Sequence, residues 1–421
     1  MLGAGLTSIQ NPAPSNQNPQ AKASIGLTQT SKLYTRQFWM LCTSSLLFFA
    51  SFNMMVPELP SYLTSLGGPQ YKGLIISLFT VTAMLSRPFS GKMADKVGRV
   101  PVIIIGSLVC FFSSLMYPAI STVFGFLLLR LVHGFSTGFT PTGLTAYLSD
   151  IIPANKRGEA MGIMGTAGTV GMAAGPAIGG AVANNFGLDA MFYVSSAFAI
   201  ASIIVVSGVK ETLVERMGFT TEVFKIHKRD LLEPKVLVAC IVMLLIAYSY
   251  GTVFTVIPDF GEFTGIRNKG VLFTYLTVSS LLVRLVSGRA SDYYGRRKIL
   301  MFSTSVTCVA MGLIAFADTQ LMLIGGVALY GAAHGMNSPT LLAWAVDLSD
   351  EKNKGRGIAS LYIFMELGIG IGAFASGLVY ANDPSRFMIT FLTCSALSLI
   401  AFVYLVIHRI RKGPVRKQNH E

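Results

Sequence analysis

Apolar runs of roughly 18 to 25 residues, long enough to cross about 30 Å of hydrocarbon at 1.5 Å per residue, recur along most of the chain. Twelve of them predict membrane-crossing helices at about 38–62, 73–91, 100–118, 122–148, 158–183, 190–208, 236–260, 270–289, 299–317, 320–346, 356–380 and 386–408. The polar stretches between them are short except for Lys210 to Lys235, which divides the helices six and six. The expected organisation is all-α and integral to the membrane: a tail at 1–36, a bundle at 37–209, a linker at 210–235, a second bundle at 236–408 and a tail at 409–421. The first tail is rich in Asn, Gln, Pro, Ser and Thr and has no acidic residue. It carries no apolar h-region near the first Met, so it reads as disordered and not as a signal peptide.

Composition supports the same class. The chain has 421 residues, 52% hydrophobic and 13% charged, with a mean hydropathy of +0.59, which excludes an ordinary soluble enzyme. A net charge of +13 raises the question of nucleic acid. The basic residues, however, lie in short clusters between apolar runs, a distribution that suits loops beside anionic lipid and argues against a nucleic-acid partner. One set of alternating loops holds only Lys72, Arg267, Lys269 and Arg386, while Arg87, Arg130 and Arg284 lie within or at the ends of apolar runs. All other Lys and Arg fall on the face that carries both termini, so the positive-inside rule places that face in the cytoplasm, as in a bacterial inner membrane. The five cysteines sit in apolar runs without CxxC spacing, so neither a disulfide framework nor a metal site is expected. A P-loop and an HExxH motif are both missing, which speaks against ATP-driven or zinc chemistry and against an enzyme. Nothing indicates a cofactor or an obligate protein partner.

Residues 85–103 repeat as 282–300, at an offset of 197. Arg87 then matches Arg284, Gly91 matches Gly288, Asp95 matches Asp292 and Arg99 matches Arg296. The same offset carries Asp150 onto Asp347 and Gly171, Gly175 and Gly180 onto Gly368, Gly372 and Gly377. Charges and glycines kept in register imply two homologous bundles of one orientation, related by an axis along the membrane normal.

At these residues the chain resembles the major facilitator superfamily, specifically its drug:proton antiporter branches, over about 37–410. The loop motif G-x-x-x-D-x-x-G-R stands at Gly91, Asp95, Gly98 and Arg99 and again at Gly288, Asp292, Gly295 and Arg296. The fifth-helix antiporter motif stands complete at Gly171, Gly175, Pro176, Gly179 and Gly180, and Arg130 with Gly134 resembles the fourth-helix motif. Lys92, Val100 and Pro101 depart from the usual pattern. The resemblance implies alternating access between two six-helix bundles. It also implies a latch at the loop motifs, with Arg99 and Arg296 pairing acids at neighbouring helix ends, for which Asp150 and Asp347 are the candidates.

Physically, Asp95 and Asp292 can cap a helix N-terminus or be no more than solvated loop charges. The glycines of the fifth helix, with Pro176, make a segment of poor propensity that its neighbours must hold, either as a flexible interface helix or by ordinary tight packing. Glu366 lies near mid-membrane, where a charge costs roughly 2.5 to 3.5 kcal/mol, and is the first candidate for the proton carrier. Its alternative is a structural, hydrogen-bonded acid. Tyr362, Gly370 and Ala373 share its side of the helix. Arg130, His133 and Thr137 share one face of the fourth helix, and Tyr330, His334, Asn337 and Ser338 one face of the tenth. Both stripes read as cavity linings, with the histidines as relay groups or as local hydrogen-bonders. Glu58 and Asp259 near the outer ends of helices one and seven are further proton-coupling candidates, or rim charges. Phe49, Phe52, Asn53, Met54, Tyr248 and Tyr250 complete an adaptable substrate cavity for an amphipathic organic molecule, unless they face lipid or core.

The leading expectation is a proton-coupled exporter with no cofactor beyond the proton gradient. A proton symporter or facilitator importing a metabolite, and a membrane receptor or scaffold, are the alternatives.

Overall fold

The computed structural model describes residues 34–152, 157–213, 232–349 and 354–412; most of the expected tails and of the linker lies outside them. Twelve long helices occur among the described residues, in the order α1 Arg36–Met55, α2 Lys72–Lys96, α3 Arg99–Met116, α4 Val123–Ile151, α5 Arg157–Phe186, α6 Leu188–Ser207, α7 Leu237–Phe263, α8 Gly270–Tyr294, α9 Arg296–Ala315, α10 Gln320–Leu348, α11 Lys354–Tyr380 and α12 Phe387–Lys412. Ten are long and apolar enough to cross a membrane. The other two are α5, diluted by glycine, and α10, diluted by His334, Asn337, Ser338 and Thr340. Pro57, which has no N–H to continue the helical ladder, interrupts α1, and a short helix, Leu59–Ser65, completes that crossing.

Two tight turns reverse the chain at single glycines with positive φ, Gly98 (142°) between α2 and α3 and Gly295 (90°) between α8 and α9. A side chain at either position would be strained. These turns lie at one end of the bundle, here called the basic end, together with the start of α1; the opposite end is called the far end.

Inside each half, small residues let helices approach to backbone contact. Gly171 on α5 faces the Leu46 carbonyl of α1, and Gly368 on α11 faces the Leu244 carbonyl of α7. Gly134 on α4 meets Phe79 of α2, and its repeat mate Gly331 on α10 meets Leu276 of α8. The cysteines are free, and all but Cys308 are buried.

The halves meet along α2 against α11 and α5 against α8. At the far end this seam is tight: a Cβ on Gly73 or Gly377 would overlap backbone across it, and one on Gly270 would overlap the Pro176 carbonyl. Towards the basic end, by contrast, Gly91, Gly162, Gly165 and Gly288 have no atom of the described residues within 4 Å of where a Cβ would stand. The outward sides of the helices, such as Leu282, Leu285 and Val286 on α8, are apolar and exposed, as lipid contact requires.

Candidate functional site: the seam between the bundles

The seam carries charge at mid-height. Arg87 on α2 donates from Nη2 to Oε1 of Glu366 on α11 at 2.6 Å, and its guanidinium lies 5.2 Å from the Tyr362 ring centroid. The Glu366 side chain is 7% exposed and that of Arg87 22%. Glu366 therefore faces a cation of the opposite bundle. Its side of α11 packs on α2, with Gly370 close to Thr80, while Gly368 and Gly372 turn towards α7. Tyr250 on α7 stacks on His334 of α10 at 4.8 Å, and Arg284 on α8 lies within Coulombic reach of Tyr250, Tyr362 and His334.

Several expected cavity residues are engaged elsewhere. Arg130 and His133 are fully enclosed within the first bundle. Arg130 donates from Nε to the Ile75 carbonyl (2.9 Å) and from Nη1 to the Tyr117 hydroxyl (3.2 Å), and it lies over the Phe79 ring at 4.6 Å. His133 Nδ1 is 3.4 Å from the same hydroxyl. Asn337 turns into the second bundle, where Oδ1 accepts from Ser303 at 2.5 Å and Nδ2 donates to Thr307 at 3.2 Å. Asn53 is buried and donates back to the Phe49 carbonyl of its own helix, Met54 is buried against Gly179, and Thr137 bonds its own helix at Gly134. Phe52 stacks on Phe79 at 4.8 Å and Phe49 packs on Gly168. The α4 stripe is thus interior to its bundle, and so are Tyr330 and Asn337 on α10, whereas His334 and Ser338 are partly exposed. Helical spacing identifies residues that share a face, but not which neighbour covers it. Tyr248, Tyr250, Tyr330 and Tyr362 do stand on the second bundle's inner helices, and the Tyr330 hydroxyl is buried without a hydrogen-bond partner.

At the basic end the two loop motifs repeat their geometry. Arg99 Nε donates to Asp150 at 3.1 Å, and Arg296 Nε donates to Asp347 at 3.0 Å. Arg99 also pairs with Asp95 at 3.2 Å, and Arg296 with Asp292. Each pair stays inside its own bundle. Asp95 and Asp292 lie in the last turns of α2 and α8 and are mostly exposed, so neither caps the following helix. That role falls to Glu211, just after α6, whose carboxylate accepts from the backbone N–H groups of Arg99 (3.1 Å) and Val100 (2.9 Å) at the start of α3. Sequence reasoning assigned Glu211 to the linker. The repeat offset carries it onto His408, so the second half offered no second copy to mark it.

At the far end two lysines tie the bundles together. Lys72 on α2 pairs with Asp259 on α7, and Lys269 donates to Ser61 at 2.6 Å and pairs with Glu262 at 2.5 Å. Glu58 is buried nearby, within Coulombic reach of Lys269. Lys72 and Lys269 had been read only as loop charges, although their scarcity on that face singled them out.

With this geometry in view, similarity to known proteins is specific. The sequence model of the Major Facilitator Superfamily matches residues 41–281 and 239–421. The "Multi-drug resistance efflux pump PmrA" of Streptococcus pneumoniae (strain ATCC BAA-334 / TIGR4) is 28% identical over 342 residues, covering 78% of this chain and 86% of that protein. "Multidrug resistance protein MdtG" of Escherichia coli (strain SMS-3-5 / SECEC) is 25% identical over 372 residues, covering 84% and 90%. Among solved structures, the human organic anion transporter MFSD10 superposes with a TM-score of 0.68 at 20% identity, covering 88% of this chain and 99% of that one. The nucleoside transporter NupG superposes with a TM-score of 0.72 at 15% identity, covering 89% and 100%. At such identities the structures establish the fold alone.

Proposed function

Because the chain belongs to the Major Facilitator Superfamily, a family of transporters and not of enzymes, we propose that it is a proton-coupled exporter of amphipathic organic compounds working by alternating access. The relatives named as multidrug efflux pumps support that reading, and so does the complete fifth-helix glycine motif.

The observation that carries it is the ion pair of Glu366 with Arg87. It joins opposite bundles at mid-membrane, so one proton taken up by Glu366 removes the charge that Arg87 binds. A guanidinium cannot give up its own proton, and it would then be left in a poorly hydrated seam without a counter-ion. The relative position of the bundles is thereby tied to the protonation of one acid. The Lys72–Asp259 pair, which joins the bundles at the far end, acts as a gate in this scheme, while Arg99 with Asp150 and Arg296 with Asp347 brace the loop motifs within each bundle at the basic end. Glu58, His133 and His334 are secondary in proton handling, and Arg130 holds the first bundle together.

With the basic loops in the cytoplasm of a bacterial cell, both termini inside, the tight far end and the open basic end correspond to an inward-open state. The energy source is the proton gradient, with no bound cofactor.

The test is proton movement in proteoliposomes on addition of candidate solutes. Antiport predicts protons leaving the lumen as solute enters. Symport predicts both entering together, and a scaffold predicts neither. Glu366→Gln is expected to retain solute exchange at equal pH and to lose the response to a pH gradient. Full coupling in that variant would move the proton site to Glu58, Asp259 or a histidine.

A further inference from the structure

Arg87 and Arg284 are repeat mates at matching places on α2 and α8, two of the helices that form the seam. Only one of them has a carboxylate. Arg87 has Glu366, whereas the offset of 197 carries Glu366 back onto Thr169, whose hydroxyl donates to the Gly165 carbonyl of its own helix at 2.8 Å. Among the described residues no carboxylate lies within ion-pairing distance of Arg284 and none accepts a hydrogen bond from its guanidinium; its Nε is buried without a partner. Arg130, the other arginine inside an apolar run without an acid, is different. Its Nε and Nη1 donate to a backbone carbonyl and a tyrosine hydroxyl and its plane lies over a ring, although Nη2 is buried without a partner among the described residues. Nothing comparable accounts for Arg284.

Arg284 is half-buried with its Nε enclosed, and a guanidinium so placed within a membrane is disfavoured unless something compensates it. Here Arg87 takes Glu366, which leaves Arg284 without an ion-pair partner among the described residues. Rings surround it. Tyr250 and Tyr362 lie within Coulombic reach, and Tyr250 stacks on His334 with 23° between the planes. A planar fork of five N–H donors fits a carboxylate or sulfonate through two parallel hydrogen bonds, and the neighbouring rings offer a face to an aromatic body.

We propose that Arg284 is the headgroup subsite for an organic anion, an aromatic carboxylate or sulfonate whose rings lie against Tyr250, His334 and Tyr362. A cationic cargo would meet like charge at this place. The assignment rests on the transporter reading above and narrows its cargo from amphipathic molecules in general to organic acids.

The experiment uses four probes of one body and different headgroups: 2-naphthoate, 2-naphthalenesulfonate, 2-naphthamide and a naphthyl trimethylammonium. Equilibrium affinities are measured on the purified full-length protein with no pH gradient. The two anions are expected to bind at least tenfold more tightly than the amide, with the ammonium weakest. In Arg284→Gln the ratio of naphthoate to naphthamide affinity is expected to fall to about one. Arg284→Lys should keep the sign of the preference and reduce its size, and it supplies the test if the Gln variant does not fold. An amide that binds as tightly as the anions, an ammonium that binds most tightly, no binding by either anion, or a tenfold preference surviving in Arg284→Gln would each overturn the assignment. Loss of pH-driven flux with this preference intact would sink the exporter reading alone. Flux with no headgroup preference would sink the subsite alone.

Discussion

Arg130, Arg87 and Arg284 show how one residue type serves three ends inside apolar helices. Arg130 is wholly enclosed and bonds groups of its own bundle, so its first effect is on stability. Arg130→Ala leaves the Ile75 carbonyl and the Tyr117 hydroxyl without their donor and opens a void beneath Phe79. It should lower stability by about 2 to 5 kcal/mol, read by thermal unfolding in detergent. An Arg130→Ala protein that melts like the parent but fails only in proton coupling would contradict this structural role. Glu366 could be singled out in sequence because a carboxylate deep in an apolar run is conspicuous. Its partner Arg87 obeys the same rule, but nothing in the chain places residue 87 beside residue 366. The cap formed by Glu211 was hidden for a different reason: an acid beside a polar linker looks like any solvated charge until its backbone partners are known.

At the scale of helices, the glycine motif is a packing device before it is anything else. Gly171 and Gly175 on α5 face the carbonyls of Leu46 and Ala50 on α1, and main-chain atoms cannot rotate aside. Gly175→Ala puts its Cβ 2.5 Å from the Ala50 oxygen, so α5 must separate from α1. A loss of about 1 to 3 kcal/mol is expected, despite the better helix propensity of alanine. Gly91→Ala on α2 is the control. No atom of the described residues lies within 4 Å of the new methyl, so thermal stability should be unchanged or higher by up to about 1 kcal/mol. If Gly91 becomes a contact when the basic end closes, the same variant will slow solute exchange. Parental rates in Gly91→Ala would remove Gly91 from the gating scheme.

At the scale of the whole molecule, the far end is shut by the Lys72–Asp259 pair and by backbone approach along two seams. Asp259→Asn removes the charge that holds Lys72 across the seam. It should therefore raise the reactivity of a Ser61→Cys reporter towards a membrane-impermeant maleimide several-fold, and unchanged labelling would show that the glycine contacts alone keep this end closed. By itself the sequence determined the class and the duplication. Length and hydropathy of the apolar runs are set by the thickness of hydrocarbon, and a repeat of charges and glycines at a constant offset survives any detail of packing. The sequence also determined which residues are anomalous, because a charge in an apolar run is anomalous wherever the chain folds. Only the tertiary structure decided which anomalies meet. The contact of Arg87 with Glu366, the absence of an acid at Arg284 among the described residues and the burial of Arg130 all depend on how helices far apart in sequence are rotated and set against one another, and a 3.6-residue period carries no record of its neighbour's rotation.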